Sequence, residues 1–226
     1  MNLLKEVKFA SREEVNEFIV ECKNNYNLIA GLDEVGRGCL FAGVVVACVI
    51  LPPEHGIVGI RDSKRLTPQR RGRLAGEIST LALTYGIGTA SNEEIDQINI
   101  ANATLLAAGR AIKNCAIAPD LIISDGGLDL SKQTNIPFVS IIKGDDLVEC
   151  VGAASIMAKV FRDHQMDLYH EIYPEYGLNG NRGYGTQDHL EAIKQRGITK
   201  LHRRSFGICK TAKLCEESNG ESKGQH

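Results

Sequence analysis

Apolar residues come in two rhythms along this chain. Val15, Phe18, Ile19 and Cys22 recur at helical spacing, and Ser11 stands where an N-cap belongs. Residues 28–33 (LIAGLD) and 43–51 (GVVVACVIL) are short, apolar and rich in β-branched side chains, and predict strands. The second lacks polar alternation, so both its faces should be covered. Residues 82–90 (ALTYGIGTA) predict a third strand. Thr67-Pro68 opens an intervening basic helix, with proline at its first position.

Further along, Ser91 or Asn92 caps a helix carrying Ile95, Ile98, Leu105, Leu106 and Ile112. Residues 120–125 and 138–143 predict a fourth and a fifth strand. After Asp145 a long run of apolar and small residues puts Val151, Ala154, Ser155, Ala158 and Phe161 on one stripe, a helix that Pro174 ends. Gly177–Gly185 predicts a loop, and Thr186 caps a last helix stopped by Gly197. The first three strands are consecutive and predict an antiparallel meander. The later two alternate with helices and should run parallel to part of it.

The 226 residues are enough for one well-buried domain, and 43% hydrophobic with 24% charged residues is an ordinary globular composition. Seven cysteines, an odd number without a CxxC, read as free thiols in a reducing compartment. There is no signal-peptide core and no apolar run of membrane-spanning length, so the expected location is the cytoplasm. The net charge of −2 does not mark a nucleic-acid binder, but its distribution is uneven. Arg61, Lys64, Arg65, Arg70, Arg71 and Arg73 form one basic cluster; Lys194, Arg196, Lys200, Arg203 and Arg204 form another. Either can track phosphates or be a solvated helix face.

Three apolar segments end in acids: Asp33-Glu34 opens DEVGRG, Asp125 closes LIISD, and Asp145 follows IIKG. Oxygen donors gathered this way suit Mg²⁺ or Mn²⁺, and two such ions can drive phosphodiester cleavage. Each acid also has a plainer role. Asp125 can form the turn before Gly126-Gly127, and Asp145 can cap the long helix, with Asp146 as its rival. Adjacent strand residues point to opposite faces, so Asp33 and Glu34 share a site only if the backbone turns at once. Gly36-Arg37-Gly38 offers open N–H groups and a guanidinium to a phosphate or sugar hydroxyl. Tyr184, between Gly183 and Gly185, can stack on a base or sugar, or anchor its loop. His202, before Arg203-Arg204, can shuttle protons, though a surface phosphate contact is the stronger expectation.

Nine segments in order carry a resemblance to the ribonuclease HII family: DEVGRG (33–38), RDSKRLT (61–67), NEEIDQINI (92–100), SDG (124–126), KGD (143–145), AASIMAKVFRD (153–163), YPEYG (173–177), GYGT (183–186) and HRRSFG (202–207). The resemblance covers roughly Ile29 to Gly207. It implies an α/β, ribonuclease H-like fold: a mixed five-stranded sheet flanked by helices, with a small helical C-terminal region. The expected organisation is a leading helix or extension over residues 1–27, the catalytic domain over 28–212 and a polar, disordered tail over 213–226.

The resemblance implies an endoribonuclease that hydrolyses the RNA strand of RNA–DNA hybrids. It implies nicking of duplex DNA 5′ of an embedded ribonucleotide, leaving 3′-hydroxyl and 5′-phosphate ends. Mg²⁺ or Mn²⁺ is the implied cofactor, two ions during catalysis. By the resemblance, Asp33, Glu34, Asp125 and Asp145 are the catalytic and metal-binding acids; Gly36, Arg37 and Gly38 read the ribose 2′-hydroxyl; Tyr184 stacks at the RNA-to-DNA junction; and Lys64 touches the backbone. The expected partners are RNA–DNA hybrids and ribonucleotide-containing DNA duplexes, with no membrane, for a monomeric enzyme. The chain departs from the family at Cys39, Gly185 and Ile208, where prolines are usual, and each change loosens the backbone. The related ribonuclease HIII type, with an added N-terminal domain and a glutamate as fourth acid, is disfavoured by Asp145 and by the 32 residues before Asp33.

Overall fold

The computed structural model describes Phe9 and residues 11–60 and 63–215; Arg61, Asp62, the Lys64 side chain and the tail from 216 lie outside the described residues. Helix α1 (Arg12–Asn25) is capped by Ser11, whose hydroxyl accepts from the Glu14 N–H. Strands β1 (Ile29–Val35) and β2 (Val44–Ile50) are followed by α2 (Pro68–Leu81), β3 (Thr84–Ala90) and α3 (Asn92–Lys113). Next come β4 (Leu121–Asp125), β5 (Phe138–Ile141), a one-turn helix α4 (Gly144–Leu147) and the long α5 (Glu149–Ile172). The short α6 (Leu178–Asn181) and α7 (Gln187–Arg196) complete the order.

The sheet runs β3-β2-β1-β4-β5. Its first three strands form the antiparallel meander, while β4 lies parallel to both β1 and β5. Every residue of β2 is buried, and its alternation feeds two cores. Val44, Val46, Cys48 and Ile50 join Ala103, Ala107 and Ala111 of α3. Val45, Ala47 and Val49 join Leu74 and Ile78 of α2 and Ala153, Ala154 and Met157 of α5. Val15 and Cys22 of α1 pack on Leu121, Ile123 and Val139. Helix α5 lies so close to β1 that a Cβ on Gly31 would sit 2.0 Å from the Cys150 carbonyl carbon. Only glycine permits that approach, which brings α5 alongside the carboxylate-bearing end of β1.

A further apolar cluster forms around the C-terminal half of α5. Met166 packs with Tyr176, Leu178, Ile193 and Ile198, and with Leu40 and Phe41 from the loop after β1. This region therefore shares α5 with the sheet.

Local signals failed in three places. The segment from Asp145 is two helices, because Val148 adopts an extended conformation and starts α5. Helix α3 is broken at Asn99 (φ +66), whose side chain accepts from the Asn102 N–H at 3.1 Å and caps the second half. The glycine-dense segment after Gly177 contains the turn of helix α6.

Candidate active site

Asp33 and Asp125 approach through sheet register. Leu32 pairs with Ser124 across the parallel β1–β4 ladder, so the next residues on each strand are neighbours. Alternation puts both acids on the face where Ile123 packs against Val151 of α5. Asp33 is only 6% exposed, and it accepts from the Glu34 N–H at 2.8 Å. Burial pushes its pKa well above the usual carboxylate range; the charges of Glu34 and Asp125 push it further, against a hydrogen bond from Ser155. The Ser155 hydroxyl also meets that of Ser63 at 2.9 Å, which tethers the serine-lysine segment beside Asp33.

Asp125 forms the next link. Its Oδ1 accepts from the Gly144 N–H at 2.8 Å, immediately after Lys143 takes a left-handed turn (φ +59). That turn puts Asp145, 8% exposed, in the first turn of α4. Asp145 is not the N-cap of α5: Val148 holds that position and makes no side-chain cap. Strand β1 continues to Val35, past both acids, yet the Glu34 charge still reaches the Asp33 carboxyl and raises its pKa. Glu34 pairs with Arg37 at 3.3 Å.

Among the described residues, no three His, Cys, Asp or Glu side chains are close enough to hold a metal ion. The structure thus brings Asp33, Glu34 and Asp125 within electrostatic reach and joins Asp145 to Asp125 through Gly144, without a closed ligand shell. The donor set nevertheless fits a hard divalent cation. All four groups offer carboxylate oxygen, and the excess negative charge that raises the Asp33 pKa is what a dication neutralises.

The Gly36–Gly43 loop rests on two buried arginines. Arg203 donates to the carbonyls of Gly36 (2.6 Å), Arg37 (2.8 Å), Ala42 (2.8 Å) and Gly43 (3.0 Å). Arg162 donates to Phe41 (3.0 Å) and Gly43 (2.5 Å). Gly36 has φ +93, and a Cβ there would lie 2.5 Å from Arg162 Nε, so glycine is required on both counts. Burial, then the neighbouring Arg162 charge, pulls the Arg203 pKa down to about 10, so it stays charged at neutral pH. With its carbonyls drawn inward, the loop can turn its N–H groups outward.

Tyr184 stands beside this loop, 42% exposed, with its ring 3.8 Å from where a Gly38 Cβ would be. Leu40 N–H donates to the Gly183 carbonyl at 2.8 Å, and Cys39 Sγ lies 3.6 Å from the Arg182 carbonyl. The two loops are therefore stitched together, and the cysteine in place of proline is part of the seam.

The basic clusters are not simple phosphate tracks. Arg203 is buried under the loop, and Arg71 is spent on Asp163 and on the carbonyls of Ser63 and Leu66. His202 is also fully buried and not a surface phosphate contact. It faces His189 at 3.2 Å. Sequence reasoning missed Arg162, Ser155, His189 and Asp96, although all but His189 lie in the quoted segments. Asp96 accepts from the N–H groups of Arg204 and Ser205 at 2.8 Å, which anchors the segment carrying Arg203.

Burial lowers the His202 pKa from 6.5 to about 3, helped by His189. Between those values the unfolded chain binds the extra proton, so stability falls as pH falls, by at most about 1.4 kcal/mol per unit. His202→Gln lacks this linkage. Its melting-temperature deficit relative to the parent should therefore shrink between pH 7 and pH 5; a constant deficit contradicts the buried neutral imidazole.

A mixed sheet in this order, with acids where the parallel strands β1 and β4 end, is a ribonuclease H-like arrangement. The family model described as Ribonuclease HII matches residues 30–209. Ribonuclease HII of Lactobacillus gasseri is 46% identical over 179 residues, 79% of this chain and 70% of that protein. Ribonuclease HII of Thermotoga maritima is 46% identical over 185 residues, 81% of this chain and 75% of that protein. The ribonuclease H2 structure from Pyrococcus horikoshii OT3 superposes with a TM-score of 0.70 at 25% identity, covering 81% of this chain and 95% of that one. The chain belongs to the ribonuclease HII family, and with it is an endoribonuclease H, a hydrolase acting on RNA–DNA hybrids. No described helix is long and apolar enough to cross a membrane.

Proposed function

We propose that this endoribonuclease also nicks duplex DNA 5′ of a single embedded ribonucleotide, with Asp33, Glu34, Asp125 and Asp145 holding two Mg²⁺ or Mn²⁺ ions. The observation that carries the reading is the adjacency of two features. Buried Asp33, near the end of β1, is repelled by Glu34 and by the half-buried Asp125 that ends β4. The Gly36-Arg37-Gly38 loop, bonded to Gly183 beside Tyr184, begins three residues after Asp33. When bound, the ions would activate the attacking water and stabilise the leaving 3′-oxygen.

The chain's own residues supply position and selectivity. The Gly36-Arg37-Gly38 loop, with the Gly36 and Arg37 carbonyls held from behind by Arg203, suits a ribose 2′-hydroxyl, the mark that separates RNA from DNA. Tyr184 offers a half-exposed ring to the sugar beyond the junction. Lys64, next to the tethered Ser63, is read as a backbone contact. We take residues 28–212 as the working unit, with 1–27 as a leading extension and 213–226 as a tail, acting as a monomer in the cytoplasm.

The test is end mapping on duplex DNA holding one ribonucleotide, with Mg²⁺ or Mn²⁺ and with EDTA. One cut is expected, leaving a 3′-hydroxyl upstream and a 5′-phosphate on the ribonucleotide. Cleavage in EDTA, or on the 3′ side, would overturn the reading. Tyr184→Ala should lower kcat/KM about ten- to a hundredfold on this substrate, since stacking is worth about 1–3 kcal/mol. The loss on a long RNA–DNA hybrid should be smaller; equal losses would remove the junction-sensing role.

A further inference from the structure

The buried pair His189–His202 lies directly beneath Tyr184, and its protons can be assigned by elimination. His189 Nδ1 meets the Tyr184 carbonyl at 2.8 Å. A carbonyl only accepts, so that nitrogen carries the hydrogen. At the other end the Thr199 N–H donates to His202 Nδ1 at 3.0 Å, so that nitrogen is bare, and the Thr199 hydroxyl, also at 3.0 Å, donates to it as well. A neutral imidazole has one donor and one acceptor. His189 Nε2 must then be bare, and His202 Nε2 must carry a hydrogen. The two ends independently demand the same central bond, from His202 Nε2–H to His189 Nε2, and these atoms are 3.2 Å apart. The result is a one-way chain from the Thr199 N–H through two imidazoles to the Tyr184 carbonyl.

The chain holds its place through its surroundings. The rings of Phe41 and Tyr176 pack edge-on against His202, with centroids at 4.8 and 4.9 Å. Burial lowers both histidine pKa values, so the pair stays neutral and its direction stays fixed. The same segment is tied to the other reading loop: the Ala42 N–H donates to Leu201, and the Arg203 N–H donates to Leu40, both at 2.8 Å. The segment 199–203 therefore grips Tyr184 through the histidines and the Gly36–Gly43 loop through Arg203.

We propose that His189 and His202 are positioning residues that hold the Tyr184 main chain in register with the Gly36-Arg37-Gly38 loop, and so set the preference for an embedded ribonucleotide over a long hybrid. This rests on the reading of Tyr184 as the junction-sensing side chain. A continuous RNA strand presents a 2′-hydroxyl at every step and makes little demand on that register. A single ribonucleotide has one productive placement and depends on it.

Two isolated amide substitutions separate positioning from bulk stability. In His189→Asn the amide N–H falls where Nδ1–H was, and can still reach the Tyr184 carbonyl. In His189→Gln the amide falls at the Nε2 end, and the Tyr184 bond is lost. The readout is the ratio of kcat/KM on single-ribonucleotide duplex to kcat/KM on long hybrid, which cancels any loss of folded enzyme. His189→Gln should lower this ratio about five- to tenfold, the worth of one hydrogen bond. His189→Asn should keep most of it, and adding His189→Gln to Tyr184→Ala should cost no further selectivity. An unchanged ratio in His189→Gln, equal ratios for Asn and Gln, or a full additional loss in the Tyr184→Ala background would overturn the positioning role. An unchanged ratio in Tyr184→Ala alone would instead remove the underlying reading, and this inference with it.

Discussion

Asp33→Asn should lose nearly all cleavage while folding at least as well as the parent. The carboxylate is 6% exposed, and its ionisation is opposed by burial and by the charges of Glu34 and Asp125. An amide of the same shape removes that repulsion and can still accept from the Glu34 N–H through its oxygen. What it cannot do is offer a negative oxygen to a divalent cation. Metal stabilisation of a phosphoryl transition state is worth several kcal/mol, so a loss of about a thousandfold or more in kcat/KM is expected. Asp125→Asn should behave alike, since an amide oxygen can still hold the Gly144 N–H that starts α4. Nicking assays paired with thermal melts decide both. Near-parental activity in either variant would remove that acid from the site.

Arg203→Met should have the opposite signature, a large loss of stability. Four carbonyls of the Gly36–Gly43 loop accept from this one guanidinium, which has no surface exposure. Methionine fills part of the volume and leaves the Arg37 and Ala42 carbonyls without this donor, with Gly43 still held by Arg162 and Gly36 by the Cys39 N–H. A cost of about 3–5 kcal/mol is expected, the range for breaking a buried charged network. Arg203→Lys keeps the charge, but a single ammonium does not span four acceptors, so most of the loss should persist. Urea unfolding measures it. A change below about 1 kcal/mol would mean that the loop is held by other bonds.

The sheet was legible because its signals are local. The apolar β2, the capped starts of α1, α2, α3 and α7, and the glycine stop at Gly197 each announce themselves within a few residues. The pairing of Asp33 with Asp125 could be anticipated from strand ends, but its proof is the β1–β4 register, which joins residues more than ninety positions apart. Asp145 misled because an acid before a long helix looks like a cap, whereas the chain interposes a left-handed lysine and a separate turn. The His202-Arg203-Arg204 run misled for a different reason. A basic tripeptide reads as surface, and nothing local reveals that the carbonyls of residues 36–43 await its first arginine. Both errors concern side chains whose partners are far away in sequence.

The central claim is that the acids at the ends of β1 and β4 form a divalent-cation site. Mn²⁺ binding to the nucleic-acid-free protein, followed by electron paramagnetic resonance, tests it without relying on turnover. Saturable binding to the parent, displaced by Mg²⁺ and lost in Asp33→Asn and Asp125→Asn, is the expected result. Binding that is the same in the parent and both variants would contradict it.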